Sequence, residues 1–527
     1  MMTGQRRTLD KRALVALIAV GFAMLACARA NVAPSAAIGS GGLPSPTLIP
    51  TGIDDPPTLT LPIPTALPAT KTPAQPEPVV SPTFPATPTS GAVGTEEPQT
   101  LVYEAQPGDS LKSVAIRFGV LPEEISSTGV LPQDHRMVDP EQILLIPKRL
   151  GDTSPEERWI PDSEMVFSPN ASSFDIDAFV ESQPGYLKRY RETVYGKWRT
   201  GAEVVALVAR NNSVNPRLLL ALLEYEAGWL SNPEKPEGDE FMYPMGMIDP
   251  QIPGLYRQLT WLANELGNGY YGWRSGTITE LRFEDGAALR LASDLNAGTV
   301  ALQYFFALDQ SSSDWEAEWG SEQLLNVYID FFGDPWAYDY PLFEPGVEQP
   351  PLILPFIEGH LWSFTGGPHG AWERESAWAA LDFAPAASVT GCYVSEDWAT
   401  ASAPGIVVRS EDGVVVLDLD GDGREHSGWA LLYLHIAEDG RVQEGDLVAA
   451  GDRIGHPSCE GGIATGTHIH LARKYNGEWI LADGPIPFNL DGWVAQAGSK
   501  PYQGALVRGD DEVLACTCAT RETLITR

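Results

Sequence analysis

Positive charge is scarce in this sequence: 35 Lys and Arg stand against 70 Asp and Glu, a formal charge of −35 over 527 residues. That balance excludes direct nucleic-acid binding, because phosphate recognition needs basic patches. An anionic polymer would also be repelled by the chain as a whole, so binding to one must rest on shaped grooves. Aromatic residues are almost absent from Asn31 to Pro98, and apolar periodicity with them. A stretch rich in Pro, Thr, Ser and Ala cannot bury a core. The apolar run Ala13 to Ala26 is too short for an ordinary membrane span, and with Arg6, Arg7, Lys11 and Arg12 before it the run fits a secretory signal. Cysteine numbers only 5, and histidine only 8.

Six of those histidines fall between Trp362 and Leu471, and four of them stand with one aspartate in an order that makes chemical sense around a metal. The stretch reads Thr365-Gly-Gly-Pro-His369, then Ala380-Leu-Asp382-Phe-Ala-Pro385, then Leu432-Tyr-Leu-His435-Ile436, then Gly466-Thr-His468-Ile-His470-Leu471. Alternate residues of a strand face the same way, so His468 and His470 project side by side. A hydrolytic zinc site uses three protein ligands and leaves the fourth position to water, whose pKa falls to about 7. His369, Asp382 and one member of the His468/His470 pair supply that set. His435 and the other member are then placed to move protons and to stabilise a developing oxyanion. His135, His360, His426 and His456 are given no role.

At these residues the sequence resembles the lysostaphin and beta-lytic family of zinc metalloendopeptidases, which cut peptide bonds in bacterial peptidoglycan. The beta-lytic branch carries a Gly-Gly-Pro-His before its Asp-Phe, as here at Gly366-Gly-Pro-His369 and Asp382-Phe383. The commoner branch has a histidine four residues before the aspartate, a position held here by Trp378, so the first ligand is His369. The resemblance implies one zinc ion on His369, Asp382 and His470, with His435 and His468 catalytic. Val442-Gln-Glu-Gly-Asp446 followed by Ala450-Gly-Asp452-Arg-Ile-Gly455 resembles the family's Gly-Asp repeat. The likeness spans Leu352 to Tyr502.

The rest of the chain divides by composition into about three or four units. Residues 1-30 read as a signal peptide. Met24-Leu-Ala-Cys27 resembles a lipoprotein signal, which implies lipidation of Cys27, whereas Ala28-Arg-Ala30 fits ordinary cleavage. The lipoprotein reading is preferred because setting Cys27 aside leaves an even set, Cys392, Cys459, Cys516 and Cys518. Residues 31-98 form a disordered tether that reaches on the order of 200 Å at about 3.1 Å per residue. Residues 100-150 resemble a LysM module, a βααβ unit that binds N-acetylglucosamine-containing chains: Pro107-Gly-Asp-Ser-Leu111 opens it and Ile143-Leu-Leu-Ile-Pro147 closes it. Glu141 replaces the usual glycine near its end.

Residues 166-345 read as a mostly helical domain. Asn215-Pro216 and Gly228 stand at natural start and stop positions for a helix over Leu218 to Ala227, and Val300 to Leu308 and Leu324 to Phe332 are further buried helices. The region resembles lytic transglycosylase and lysozyme-like domains, which implies a glycan-cleaving acid at Glu226. Residues 351-507 are a mainly antiparallel β catalytic domain, with a hairpin at Ile406 to Leu417 turning at Glu411-Asp-Gly413. Asp418, Asp420 and Asp422 have the spacing of the first positions of a calcium loop, but Trp429 occupies the twelfth. A solvated turn is the simpler reading and calcium the alternative. Cys392 is expected to pair with Cys459, and residues 508-527 form a tail carrying Cys516 and Cys518.

The chain is therefore expected to be an extracytoplasmic, lipid-anchored, monomeric multidomain peptidoglycan hydrolase. Its partner is peptidoglycan, in both peptide and glycan parts. It touches no nucleic acid, and a membrane only through Cys27. The rivals are a non-catalytic wall-binding protein that recruits another hydrolase, and a dual enzyme using Glu226.

Overall fold

Local cap and turn chemistry sets the first described elements. β1 (Thr100–Glu104) leads through Pro107-Gly108 to Ser110, whose hydroxyl accepts the Ser113 amide at 3.2 Å and opens α1 (Leu111–Phe118). Gly119, at φ 66°, ends that helix. β2 (Ser126–Ser127) and β3 (Ile143–Pro147) complete a small antiparallel sheet of order β1-β3-β2. In place of the second helix of the expected βααβ pattern the chain has a single 3-10 turn, Pro122–Glu124. Ile125 turns extended directly after it, so that Ser126 and Ser127 pair with Leu145 and Leu144. Tyr103, Val114, Phe118, Leu144 and Ile146 form the core of this part.

The computed structural model describes residues 100–132, 136–319, 323–372, 376–386, 390–518 and 520–527. The expected signal, Cys27, the tether and His135 lie outside the described residues. All described residues belong to the second of two units, Ala92–Arg527.

The middle of the chain is built from capped helices. Thr200 and Glu203 cap α2 (Gly201–Asn212) reciprocally. Asn215 accepts the Arg217 amide at 2.9 Å to open α3 (Pro216–Ala227), with Pro216 in its first turn and Gly228 at φ 65° beyond its end. α4 (Leu255–Ser275), α5 (Ala297–Ala307) and α6 (Gln323–Phe332) follow. Two short hairpins, Arg191–Val194 with Lys197–Thr200 and Glu280–Arg282 with Ala288–Arg290, are β structure within the region read as mostly helical.

The C-terminal part is antiparallel β. Apart from a two-stranded pair, Ala399–Thr400 with Arg453–Gly455, its strands are β4 (Leu361–His369), β5 (Ala380–Pro385), β6 (Gly405–Glu411), β7 (Val414–Asp418), β8 (Trp429–Leu434), β9 (Leu447–Val448), β10 (Ile469–Tyr475), β11 (Glu478–Trp479), β12 (Asn489–Leu490), β13 (Trp493–Ala497), β14 (Gly504–Arg508), β15 (Asp511–Leu514) and β16 (Leu524–Thr526). The main sheet has the order β9-β6-β7-β8-β10-β5-β4-β16, with β11 paired to β10, and β12 to β15 form a second sheet. The expected hairpin is present. Asp412 and Gly413, at φ 48° and 81°, both take the positive values that a tight two-residue turn demands. Residues 508–527 are woven in: β15 edges the second sheet and β16 pairs with β4.

Both faces of the main sheet are buried, and strand alternation sorts them. Val415, Leu417, Leu431, Tyr433 and Leu471 share a core with Phe488, Trp493 and Leu506 of the second sheet. Val414, Val416, Ala430, Leu432 and Ala472 pack into the helices, in one core with Leu219, Leu262 and Tyr270. Polar ties reinforce that contact: Trp479 Nε1 donates to the Asn212 carbonyl at 3.1 Å, and Tyr270 donates to Glu478 at 2.7 Å. The small N-terminal module is held to the hairpin and loop that precede α5. Gln106 Nε2 donates to the Asp294 carbonyl at 2.9 Å, and Arg290 donates to the Arg117 carbonyl at 2.8 Å. No helix among the described residues is long and apolar enough to cross a membrane.

Candidate metal centre

Cross-strand register assembles the cluster. Asp382 on β5 lies opposite His470 on β10, His470 opposite Leu434 on β8, and β4 runs beside β5 to end at His369. His435, just past Leu434, has φ 67°, which swings its ring out of the strand pattern and toward the cleft. Asp382 and His470 share the face that Ala380 and Ala472 turn to the helices.

Three side chains converge on a point. His369 Nε2 lies 3.0 Å from His470 Nδ1 and 3.2 Å from Asp382 Oδ1, and His470 Nδ1 lies 3.3 Å from the same oxygen. All three residues are buried. The far ring nitrogens fix the tautomers: His369 Nδ1 donates to the Gly367 carbonyl at 2.8 Å and His470 Nε2 to the Ala371 carbonyl at 3.0 Å. A carbonyl only accepts, so each ring turns a lone pair inward. Asp382 Oδ1 is buried without an aligned hydrogen-bond donor. Three lone pairs facing one another at this range need a cation between them. Tetrahedral zinc with bonds of about 2.0–2.2 Å separates its ligand atoms by roughly 3.3 Å, so this triangle fits it.

His468 sits beside the triangle and does not close it. Its Nε2 is 3.7 Å from Asp382 Oδ1, and its Nδ1 donates to the Gly466 carbonyl at 2.8 Å. The His435 ring stands 4.5 Å from that of His468, with its Nδ1 donating to the Glu460 carbonyl at 3.0 Å. Both rings thus direct an Nε2 lone pair into the cleft. Burial, reinforced by the neighbouring His468 and His470, pushes His435 down to about 3. The structure brings together all five residues that sequence reasoning had grouped.

The cleft has a volume of about 770 Å³. Tyr502 was missed by sequence reasoning: its ring stacks on His369 at 4.1 Å and 24° between planes. It sits at φ 68° in an irregular turn, outside any periodic signal. Thr517, between Cys516 and Cys518, and Leu524 also line the cleft, so the C-terminal segment supplies part of its wall. The two cysteine pairs are Cys392–Cys459, with Cα atoms 5.6 Å apart, and Cys516–Cys518. Ser458, beside the first, donates its amide to the His435 carbonyl at 2.7 Å, and Thr467 donates its amide to Gly391 at 3.0 Å. That disulfide therefore ties the segments on which His435 and His468 stand.

The other candidates lie elsewhere. Glu226 is on the last turn of α3 and is exposed. Loss of hydration, then the Asp309 charge, push its carboxyl up to about 7. The ligand atoms of Asp418, Asp420 and Asp422 lie within 4.8 Å of one another. The Asp418 carboxylate is already taken by three backbone donors, from Asp420, Gly421 and Gly423, at 2.7–3.1 Å. Such a loop is satisfied as a turn. His360 faces Asp397 at 3.2 Å, and His456 packs on Trp398 at 3.8 Å.

Residues 158–345 match the family model described as LasA, N-terminal domain. The relatives named Protease LasA in two strains of Pseudomonas aeruginosa are each 23% identical over 349 residues, covering 61% of this chain and 75% of theirs. Among solved structures, the M23 metalloprotease pseudoalterin from the deep sea is 22% identical over 31% of this chain and 94% of its own, with a TM-score of 0.27. The catalytic domain of lysostaphin from Staphylococcus simulans is 21% identical over 23% of this chain and 89% of its own, with a TM-score of 0.18.

Proposed function

We propose that this chain is an extracytoplasmic zinc-dependent metalloendopeptidase that cleaves peptide bonds of peptidoglycan. The observation that carries the reading is the convergence of three inward lone pairs, from His369, Asp382 and His470, on one cation-sized point beside two further imidazoles. The likeness to Protease LasA over most of that relative's length supports it. Bound zinc supplies Lewis acidity and acidifies a water. His369, Asp382 and His470 hold the ion, with the Gly367 and Ala371 carbonyls orienting the two rings. His435 and His468 accept a proton at Nε2 from the attacking water and return it to the departing amine. Tyr502 braces the His369 ring.

The finer parts of the reading are the Gly-Gly-Pro-His branch, wall-glycan binding by residues 100–150 and membrane attachment through Cys27. Calcium at Asp418, Asp420 and Asp422 is the least supported of them, because the Asp418 oxygens are already engaged. A non-catalytic wall-binding protein is the weaker rival, since none of the five residues is missing. The test is paired substitution followed by mass analysis of digested sacculi. His470→Ala should lose zinc and release no new amines; His468→Ala should keep zinc and lose turnover. Zinc and activity retained in both variants would remove the assignment.

A second activity, glycan cleavage with Glu226 as the acid, is the rival reading; its carboxyl lies on the last turn of α3, with Asp309 pushing its pKa in the direction an acid requires. Digestion of peptide-free glycan strands by the full chain decides it. Products that vanish in Glu226→Gln carry the reading, and an absence of products ends it.

A further inference from the structure

In a chain of formal charge −35, one cavity gathers three arginines. It lies between the helices and the main sheet, has a volume of about 310 Å³, and its polar walls are Ser172, Ser173, Arg210, Arg409, Arg424 and His426, with one carboxylate, Glu425. None of these residues lines the catalytic cleft. Arg409 is 4% exposed; its Nη1 donates to Asn211 Oδ1 at 2.7 Å and its Nε faces Glu425 at 2.9 Å, while its Nη2 is buried without a partner. His426, 6% exposed and stacked on Phe167 at 3.7 Å, turns Nε2 toward Glu425 at 3.4 Å and leaves Nδ1 without a hydrogen bond. Arg210 spends Nη2 on Glu411 at 3.1 Å and leaves Nε buried and free. The Arg424 guanidinium has no ion pair among the described residues and is open to solvent.

The local charge balance is positive. Lys474, behind the wall, also faces Glu425 at 3.3 Å, so among the described residues Arg409, Arg210 and Lys474 share the two carboxylates of Glu425 and Glu411, and Arg424 is paired with neither. Buried guanidinium N–H groups left without acceptors are costly, and their planar fork suits a carboxylate or a phosphate. A cavity of this volume holds more than a bare ion.

We propose that this cavity binds a small organic oxyanion, bearing a carboxylate or a phosphate, that bridges Ser172, Ser173 and Arg210 of the helical region to Arg409 and Arg424 of the sheet. The ligand binds only where both walls are present, so it holds the helices against the sheet and stabilises the folded chain by linkage. The site does not depend on the zinc reading.

The experiment titrates the full chain with inorganic phosphate and separately with N-acetylmuramic acid as the carboxylate probe, by calorimetry and thermal melting, at ionic strength held constant with sodium chloride. Saturable binding of either probe, with a melting temperature that rises with its concentration, is the expected result, and the probe that binds identifies the oxyanion. Arg424→Ala removes an exposed guanidinium that the fold does not need. It should weaken binding about tenfold or more, the loss of one charge-assisted contact, with zinc content and turnover unchanged. Absence of saturable binding by both probes, or binding of equal strength in Arg424→Ala and in Arg210→Ala, overturns the proposal.

Discussion

Adding one methyl group at Gly366 should empty the metal centre without unfolding the chain. A Cβ built at Gly366 would lie 2.5 Å from Asp382 Oδ2, 2.9 Å from its Cγ and 3.0 Å from its Cβ. That is about 1 Å short of an ordinary nonbonded contact. Gly366 and Asp382 are paired across β4 and β5, and the atoms nearest the added methyl belong to the Asp382 side chain. The Asp382 carboxylate must therefore retreat, and metal–ligand distances tolerate only about 0.2 Å. Displacing an orienting partner of a ligand already costs about 10–100-fold in metal affinity, so moving the ligand itself in Gly366→Ala should cost at least about 100-fold. The overpacking penalty on folding should stay at about 1–3 kcal/mol. Chelator competition reads the first quantity and urea melts of the metal-free protein the second. Wild-type zinc affinity in Gly366→Ala would refute the reasoning, since the aspartate would then have room to spare.

Three further perturbations test the scaffold. Arg217→Met strips the ion-pair partner from Glu164, which is 0% exposed and accepts from Arg217 at 2.6 and 3.0 Å, and leaves it only the Tyr328 hydroxyl; a stability loss of about 3–5 kcal/mol is expected, and a loss near zero in urea melts would contradict it. Replacing both Cys392 and Cys459 by Ala opens a link across 67 residues and should cost about 4 kcal/mol, with His435 and His468 misplaced and turnover reduced; unchanged denaturation midpoints and rates would count against the pairing. His426 is lowered from 6.5 to about 3, first by burial, against the pull of Glu425. The unfolded chain takes up that proton first, so this contribution to stability is complete above about pH 6.5 and is lost as pH falls toward 3. His426→Phe keeps the ring stack on Phe167 and should flatten the loss of stability between those limits; an unaltered pH dependence would show that another group controls it.

Local chemistry was legible in the sequence because its causes are local. Asn215-Pro216 and Gly228 mark the ends of α3 by cap geometry alone, and Asp412-Gly413 marks a tight hairpin because both positions require positive φ. The alternation of His468 and His470 places both on one face, and residue chemistry grouped them with His369, Asp382 and His435 before any fold was known. Periodicity could not rank the two histidines. The register that sets His470 opposite Asp382 separates them, leaving His468 at 3.7 Å and His470 inside the triangle. Nor could it show why Gly366 and Gly367 are both small: the first clears Asp382, the second the backbone of Gln503, 136 residues further on. Tyr502, the sharing of one core by helices and sheet, and the cationic cavity between them likewise arise from contacts distant in sequence. Residue type, caps and spacing determined by themselves what chemistry this chain can perform and where its elements begin and end. Strand register and the packing of helices on the sheet decided which atoms meet, because such contacts form between segments whose local conformations carry no mark of one another.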